Sequence, residues 1–171
     1  MTTQFHQSTI GVMIRQAESL AAIMAKGREH LGDDADTFIN ESLCEDMLPF
    51  SFQIRAVYHS TAGNIEALRS GQAGPPEAMD LTSYADLEAL LAKAIDALKA
   101  VTPEELDDFL VKDVVFAMGD FKIPFIGLGF MTSFALPNFY FHTTTAYNLL
   151  RQKGVQIGKR DYLGAMDLNM G

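Results

Sequence analysis

The chain has 171 residues, a formal net charge of −9, 48% apolar residues and 20% charged residues. These values are typical of a globular domain, and so acidic a chain lacks the broad basic surface that binds nucleic acid or anionic membranes. We therefore expect a single domain over residues 1–171, with neither nucleic acid nor membrane among its partners.

The chain also lacks signals for export. Its single cysteine, Cys44, cannot form an intrachain disulfide, and its first residues, MTTQFHQST, lack the basic segment and apolar core of a signal peptide. Asp120, Lys122 and Pro124 interrupt the most apolar window, residues 114–141. No run of about 20 apolar residues is left for a transmembrane helix, so we expect a cytoplasmic protein.

The first half of the chain predicts two helices. Apolar residues recur every three or four positions in the first one, which runs from about Ser8 to Leu31 and ends before Gly32. Residues 33–48 are predicted to be a connection. The second helix is predicted from Pro49 to Gly71, since proline is tolerated in a first helical turn.

A loop and a third helix come next. Two prolines and two glycines in GQAGPPEAMDLTS, residues 71–83, predict a loop. The third helix is predicted from Ser83 to about Ala100, with Asp86 as the acid of a capping box. A short helix is then predicted from Thr102 to Asp108.

The last part of the chain combines extended and helical patterns. Residues 111–127 are rich in β-branched and aromatic residues around Gly119 and Asp120, which predicts a small hairpin or two extended segments. The last helix is predicted from about Ser133 to Arg151, with Pro137 in its first turn. The expected fold is all-α: an antiparallel four-helix bundle with a small hairpin or extended insertion before the last helix.

Two pairs of polar residues at helical spacing mark a candidate site. Asn138 and His142 are four residues apart, and so are Arg55 and His59, so each pair lies on one helical face. If these helices pack together, the two histidines meet in the core. Two imidazoles and an amide oxygen form an incomplete metal site, because a zinc site usually has at least three strong donors.

Each of these residues also has a purely structural interpretation. His59 and His142 would then be buried and hydrogen-bonded to each other, to Asn138 or to a threonine, and this is slightly favoured. Arg55 could bind an anionic group, but an ion pair with one of the 22 acids is the more common role. Thr145 is the threonine of residues 143–145 that best fits a ligand-binding role.

The string LPNFYFHTTTAYNLLRQKGVQIGKRDYL, residues 136–163, resembles a branch of the DinB-like (YfiT-like) superfamily of four-helix bundles. This branch is catalogued only as a domain of unknown function, and the resemblance covers nearly the whole chain. In typical superfamily members, one histidine of the second helix and a His-x-x-x-His pair of the last helix bind a divalent metal, often nickel or zinc. The resemblance places these ligands at His59, Asn138 and His142, so the triad is degenerate at Asn138.

Two functions from different classes follow. The favoured one is a small-ligand-binding or structural module that forms a homodimer and carries a degenerate metal site. The alternative is a divalent-metal-dependent enzyme, a hydrolase or a thiol transferase, in which His59 and His142 hold zinc or nickel. The resemblance implies this alternative, because known superfamily activities include metal-dependent thiol transfer.

Overall fold

The structure is a computed structural model that describes residues 2–169, most of which are helical. The α-helices in this range are α1 (Thr2–His6), α2 (Val12–Leu31), α3 (Ala35–Phe38), α4 (Phe50–Tyr58), α5 (Asn64–Ser70), α6 (Tyr84–Lys99), α7 (Pro103–Leu110), α8 (Gly127–Phe130), α9 (Leu136–Gln152) and α10 (Lys159–Leu163). The strands are β1 (Gln72–Ala73), β2 (Asp113–Met118) and β3 (Phe121–Ile126).

Three π-helical segments join pairs of these helices into longer ones. They are Gln7–Gly11, between α1 and α2; His59–Gly63, between α4 and α5; and Met131–Ala135, between α8 and α9. The resulting long helices span residues 2–31, 50–70 and 127–152. π turns are rare and often lie at functional sites.

Helix α2 packs against α6 and α9, and α4 packs against the same two helices, so the four surround one core. Phe50, Tyr84 and Phe139 are among its fully buried side chains. The buried hydroxyl of Tyr84 donates to the carbonyl of Met24 at 2.9 Å, which ties α6 to α2. In the described residues, no helix combines the length and the apolar character that crossing a membrane requires.

Several helix ends lie where the sequence predicts them. Gly71 follows α5 with a left-handed φ of 75°, a conformation that glycine adopts without strain. Ser83 and Asp86 form a reciprocal capping box at the start of α6. The Thr102 side chain caps α7 by accepting a hydrogen bond from the Glu105 N–H.

The prediction of an all-α fold needs correction, because the helical bundle carries a small three-stranded sheet in the order β1-β2-β3. The predicted hairpin segment forms β2 and β3, which are antiparallel from Asp113↔Ile126 to Met118↔Phe121. Strand β1 lies in the segment predicted to be a loop and pairs in parallel with β2. A two-residue strand has no pattern of its own, since its pairing comes from the tertiary fold.

The last long helix begins earlier than predicted, at Gly127, so Pro137 lies inside it rather than in its first turn. The adjacent π segment explains why proline is tolerated there. The Leu136 N–H donates to the carbonyl of Met131, five residues back. One residue further on, Pro137 has no N–H to donate, and the wide turn already interrupts the regular α-helical hydrogen bonds at this point.

Candidate functional site

A cavity of about 180 Å³ lies between the second long helix and the last one. We call it the His59–His142 cavity. All three positions of the predicted degenerate triad line it: His59, Asn138 and His142. Its other lining residues are Phe52, Ala56, Ser60 and Asn64 from the second long helix, residues 74–76 after β1, and Phe116 and Phe134.

The His59 ring fits because residue 63 is glycine. His59 and Gly63 are the first and last residues of the π segment between α4 and α5. A Cβ atom built on Gly63 would lie 2.8 Å from Nδ1 of His59, closer than real Cβ contacts. Glycine at this position therefore leaves the space that the imidazole occupies.

We expect Gly63→Ala to displace the His59 ring with little effect on global stability. Displacement of the ring relieves most of the crowding, so its cost stays at about 1 kcal/mol and is offset by about 1 kcal/mol of helix propensity. Burial is the main reason why the pKa of His59 is lowered, so a displaced, more exposed ring should titrate at higher pH. NMR titration of the imidazole measures this. Gly129→Ala is the control, since a Cβ at residue 129 meets nothing within 4 Å; an unchanged His59 pKa in G63A would contradict the expectation.

The tautomer of His142 follows from its hydrogen bonds. Nε2 of Gln53 donates to the backbone carbonyl of Leu48 at 2.8 Å, which fixes the orientation of the Gln53 amide. Oε1 of Gln53 therefore faces Nδ1 of His142 at 2.8 Å. Because an amide oxygen only accepts, Nδ1 carries the proton and donates the hydrogen bond. In the neutral ring, Nε2 of His142 is then left with a free lone pair.

Both imidazoles are neutral at pH 7. Burial, and to a smaller extent the positive charge that His59 would carry when protonated, together lower the pKa of His142 to about 4. Burial also lowers the pKa of His59, against the opposing effects of a hydrogen bond to the backbone of Gly74 and of the Glu77 charge. The cavity is therefore polar but carries no charge on its histidines.

Asn138 and Thr145 differ in their relation to the cavity. The Asn138 side chain is half-buried and lines it, while its Nδ2 donates to the carbonyl of Phe134 at 2.7 Å. Thr145 is buried, its hydroxyl donates to the carbonyl of Phe141 at 2.8 Å, and it is not among the lining residues. The hydroxyl of Thr143 bonds back to its own helix in the same way.

Arg55 lies beside the cavity, not in it. It lines a neighbouring pocket of about 370 Å³ that also includes His59 and residues 74–76. Its guanidinium stands over the Phe52 ring, 5.0 Å from the centroid. Its buried Nε has no hydrogen-bond partner, and it forms no ion pair with an acid of the described part of the chain. The expected ion pair between Arg55 and an acid is therefore not found in the described residues.

Two residues of this region were not predicted from the sequence, Gln53 and Asn64. Both side chains are 2% exposed. Nδ2 of Asn64 donates to the carbonyl of Ser60 at 3.2 Å, and its Oδ1 has no hydrogen-bond partner among residues 2–169. Each of these two amide side chains lies among apolar residues of a predicted helix, and this is the pattern in the sequence that could have identified them.

The donors of the cavity do not complete a metal site. Within residues 2–169 there is no group of three or more His, Cys, Asp or Glu side chains that could hold a metal ion. The cavity provides two imidazoles and the amides of Asn64 and Asn138. Amide oxygens are weak donors to zinc or nickel, so the residues present do not fit the full triad.

Comparisons with known proteins identify the family and the fold. The family model described as "Domain of unknown function (DUF1993)" matches residues 5–163. No curated protein matches the chain. Among solved structures, the crystal structure of a DinB family member protein from Shewanella denitrificans matches with a TM-score of 0.81 and 24% identity, over 99% of this chain and 97% of that one. At this identity, the match shows a DinB-like fold and gives no activity.

Proposed function

The chain belongs to the family described as Domain of unknown function (DUF1993), and we propose that it is an antiparallel four-helix bundle that binds a small organic molecule. The binding site would be the His59–His142 cavity. Residues His59, Asn138 and His142, the remnant of the superfamily's metal triad, would serve as hydrogen-bonding groups rather than as metal ligands.

The observation that carries this proposal is a cavity of about 180 Å³ that is lined by Asn64, a residue whose buried Oδ1 has no hydrogen-bond partner among residues 2–169. Buried polar groups nearly always have a hydrogen-bond partner, and leaving one without costs about 1–3 kcal/mol. A bound molecule would supply the partner. Aromatic walls with a few convergent polar groups are also typical of small-molecule sites.

Arg55 has a secondary place in the proposal. Its guanidinium, which forms no ion pair within residues 2–169, lines the pocket next to the cavity, and a planar cation suits a carboxylate or another anionic group. A ligand that extends past His59 could present such a group to it. Thr145 is left out, because its hydroxyl is already bonded to the carbonyl of Phe141.

The alternative is the divalent-metal-dependent enzyme, a hydrolase or thiol transferase using His59 and His142. One observation favours it. A metal-binding histidine usually donates its second ring N–H to a carbonyl or carboxylate, and His142 donates Nδ1–H to Gln53. Against it, the described lining offers only two strong donors, because the third triad position is Asn138 and an amide oxygen is a weak ligand for zinc or nickel.

A ligand screen with a matched variant tests the proposal. We expect at least one small organic compound to raise the Tm of the untagged protein by about 5–10 °C at 100 times its Kd. His142→Ala should abolish the shift, because it removes a polar group from the cavity wall. His30→Ala should retain it, since His30 is exposed and bonds to the Lys153 carbonyl.

Elemental analysis of the same three proteins, supplied with zinc and nickel, separates the two functions. We expect no stoichiometric metal in any of them. About one metal ion per chain in the wild type and in H30A, absent from H142A, would overturn the proposal in favour of the metalloenzyme.

The homodimer stays a prediction. Its support is a set of large apolar side chains exposed on the hairpin and just after it: Met118, Phe121, Ile126 and Leu128. Exposed apolar surface of this kind is often covered by a partner.

A further inference from the structure

We propose that the His59–His142 cavity selects a compact, uncharged molecule that presents N–H or O–H donors, with Asn64 as the residue that determines this specificity. The inference rests on the proposed function, since it names the class of molecule that the same cavity would bind. It concerns Asn64, which is not one of the three triad positions.

The orientation of Asn64 leaves an acceptor without a donor. Asn64 is 2% exposed and lines the cavity. Its Nδ2 is fixed as the group that faces the carbonyl of Ser60, because a carbonyl accepts only. The other end of the amide, Oδ1, is then an acceptor with no partner in the described residues. Only a donor from a bound molecule or a water satisfies it.

His142 provides a second acceptor on the opposite helix. Gln53 holds the proton of the ring on Nδ1, so Nε2 is an acceptor in the neutral ring. His142 and Asn64 both line the cavity. Two acceptors without donors in one cavity favour a molecule with at least two N–H or O–H bonds, and they disfavour a molecule that can only accept.

The charge and the size of the cavity restrict further the class of molecule that it can bind. No Lys, Arg, Asp or Glu is among the lining residues, and three phenylalanines, Phe52, Phe116 and Phe134, are. A charged group held within this cavity would lose its hydration without gaining an opposite charge, because Arg55 lines only the neighbouring pocket. A cavity of about 150 Å³ accommodates benzene, so a cavity of about 180 Å³ has room for one six-membered ring with a small polar substituent.

Six ring compounds of similar size test the inference on the full-length protein at pH 7.5. Phenol and aniline carry donors, anisole and N,N-dimethylaniline have the donors blocked, and benzoate and benzylammonium are charged. Kd values are measured by NMR titration. We expect the donor compounds to bind at least tenfold more tightly than the blocked ones, and the charged ones to bind most weakly.

Asn64→Leu, which keeps the approximate shape and removes the acceptor, is expected to weaken binding of phenol and aniline about tenfold and to leave anisole binding unchanged. Asn148→Leu, the same substitution at an exposed position of α9, should change neither. The ranking on the wild type needs no variant and decides the class of molecule. If N64L does not fold, Asn64→Asp, whose carboxylate keeps the acceptor and the size, decides the role of Asn64: an unchanged preference for donor compounds supports it and a lost preference overturns it.

Three other results would overturn the inference. They are equal binding of donor and blocked compounds, tightest binding of a charged compound, and an unchanged ranking in folded N64L. The first two leave the proposed function intact, because the cavity would still bind a small molecule. Binding of none of the six would overturn the ligand class as well, and the wider thermal-shift screen would then decide the proposed function separately.

Discussion

Replacing Phe130 with alanine is expected to lower the free energy of unfolding by about 3–5 kcal/mol. Phe130 is fully buried and stacks on Phe134, with the ring centroids 5.3 Å apart. It also meets Phe125 of β3 edge-on at 5.6 Å. Its truncation would leave a cavity between the hairpin and the last long helix, and the rings around it could fill that space only partly. Chemical denaturation measures the loss.

The same variant should weaken ligand binding, because Phe134 and Phe116, whose centroids are 5.1 Å apart, are walls of the His59–His142 cavity. Phe121→Ala is the matched control: it removes the same kind of side chain from β3 of the hairpin, where the ring is 56% exposed. We expect it to change stability by no more than about 0.5 kcal/mol. Equal losses in F130A and F121A would mean that the Phe130 cluster does not stabilise the fold.

Stability should fall in acid because His142 must be neutral in the folded protein. Its pKa is lowered from 6.5 to about 4 by burial and then by the charge of His59. The unfolded chain therefore binds more protons between these two values. The contribution of His142 to stability is complete above about pH 6.5 and is lost as the pH falls towards 4. This shift corresponds to at most about 3.4 kcal/mol; we expect about 1–2 kcal/mol, because the ring is partly exposed and water screens its charge.

The contribution of His142 is isolated by comparison with His142→Gln, which does not titrate. The difference in unfolding free energy between the wild type and H142Q should decrease by about 1–2 kcal/mol from pH 7.5 to pH 4.5. Asn148→Gln, an exposed change on the same helix, should differ from the wild type by a constant amount. If the H142Q difference is also constant, the ring is not held neutral by the fold.

Much of the fold could be predicted from local signals. Glycine at residue 71 and the capping box of Ser83 and Asp86 act through neighbouring backbone, so their positions in the sequence place the ends of α5 and α6. The start of the last long helix could not be placed in this way. Pro137 and the glycines shortly before it suggest that a helix starts nearby. The π turn that allows Pro137 to lie inside the helix has no known sequence pattern.

The sequence likewise predicts only some of the residues that line the candidate site. Asn138 and His142 are four residues apart on a regular helix, so periodicity places both in one wall. His59 and Asn64 are five apart, which on an α-helix turns them about 140° away from each other. The π segment that begins at His59 alters this angle, and both side chains line the cavity. Asn64 was missed because a period of 3.6 residues does not describe that helix.

The segment that covers the cavity has a consequence for the rate at which a ligand enters. Residues 74–76 line the cavity and directly follow β1, whose pairing with β2 extends over only two residues. Segments with few hydrogen bonds open locally at a lower free energy than the whole protein unfolds. The association and dissociation of the proposed ligand would therefore proceed through this segment while the four helices stay packed. Ligand exchange would then depend on the stability of the small sheet and not on that of the bundle.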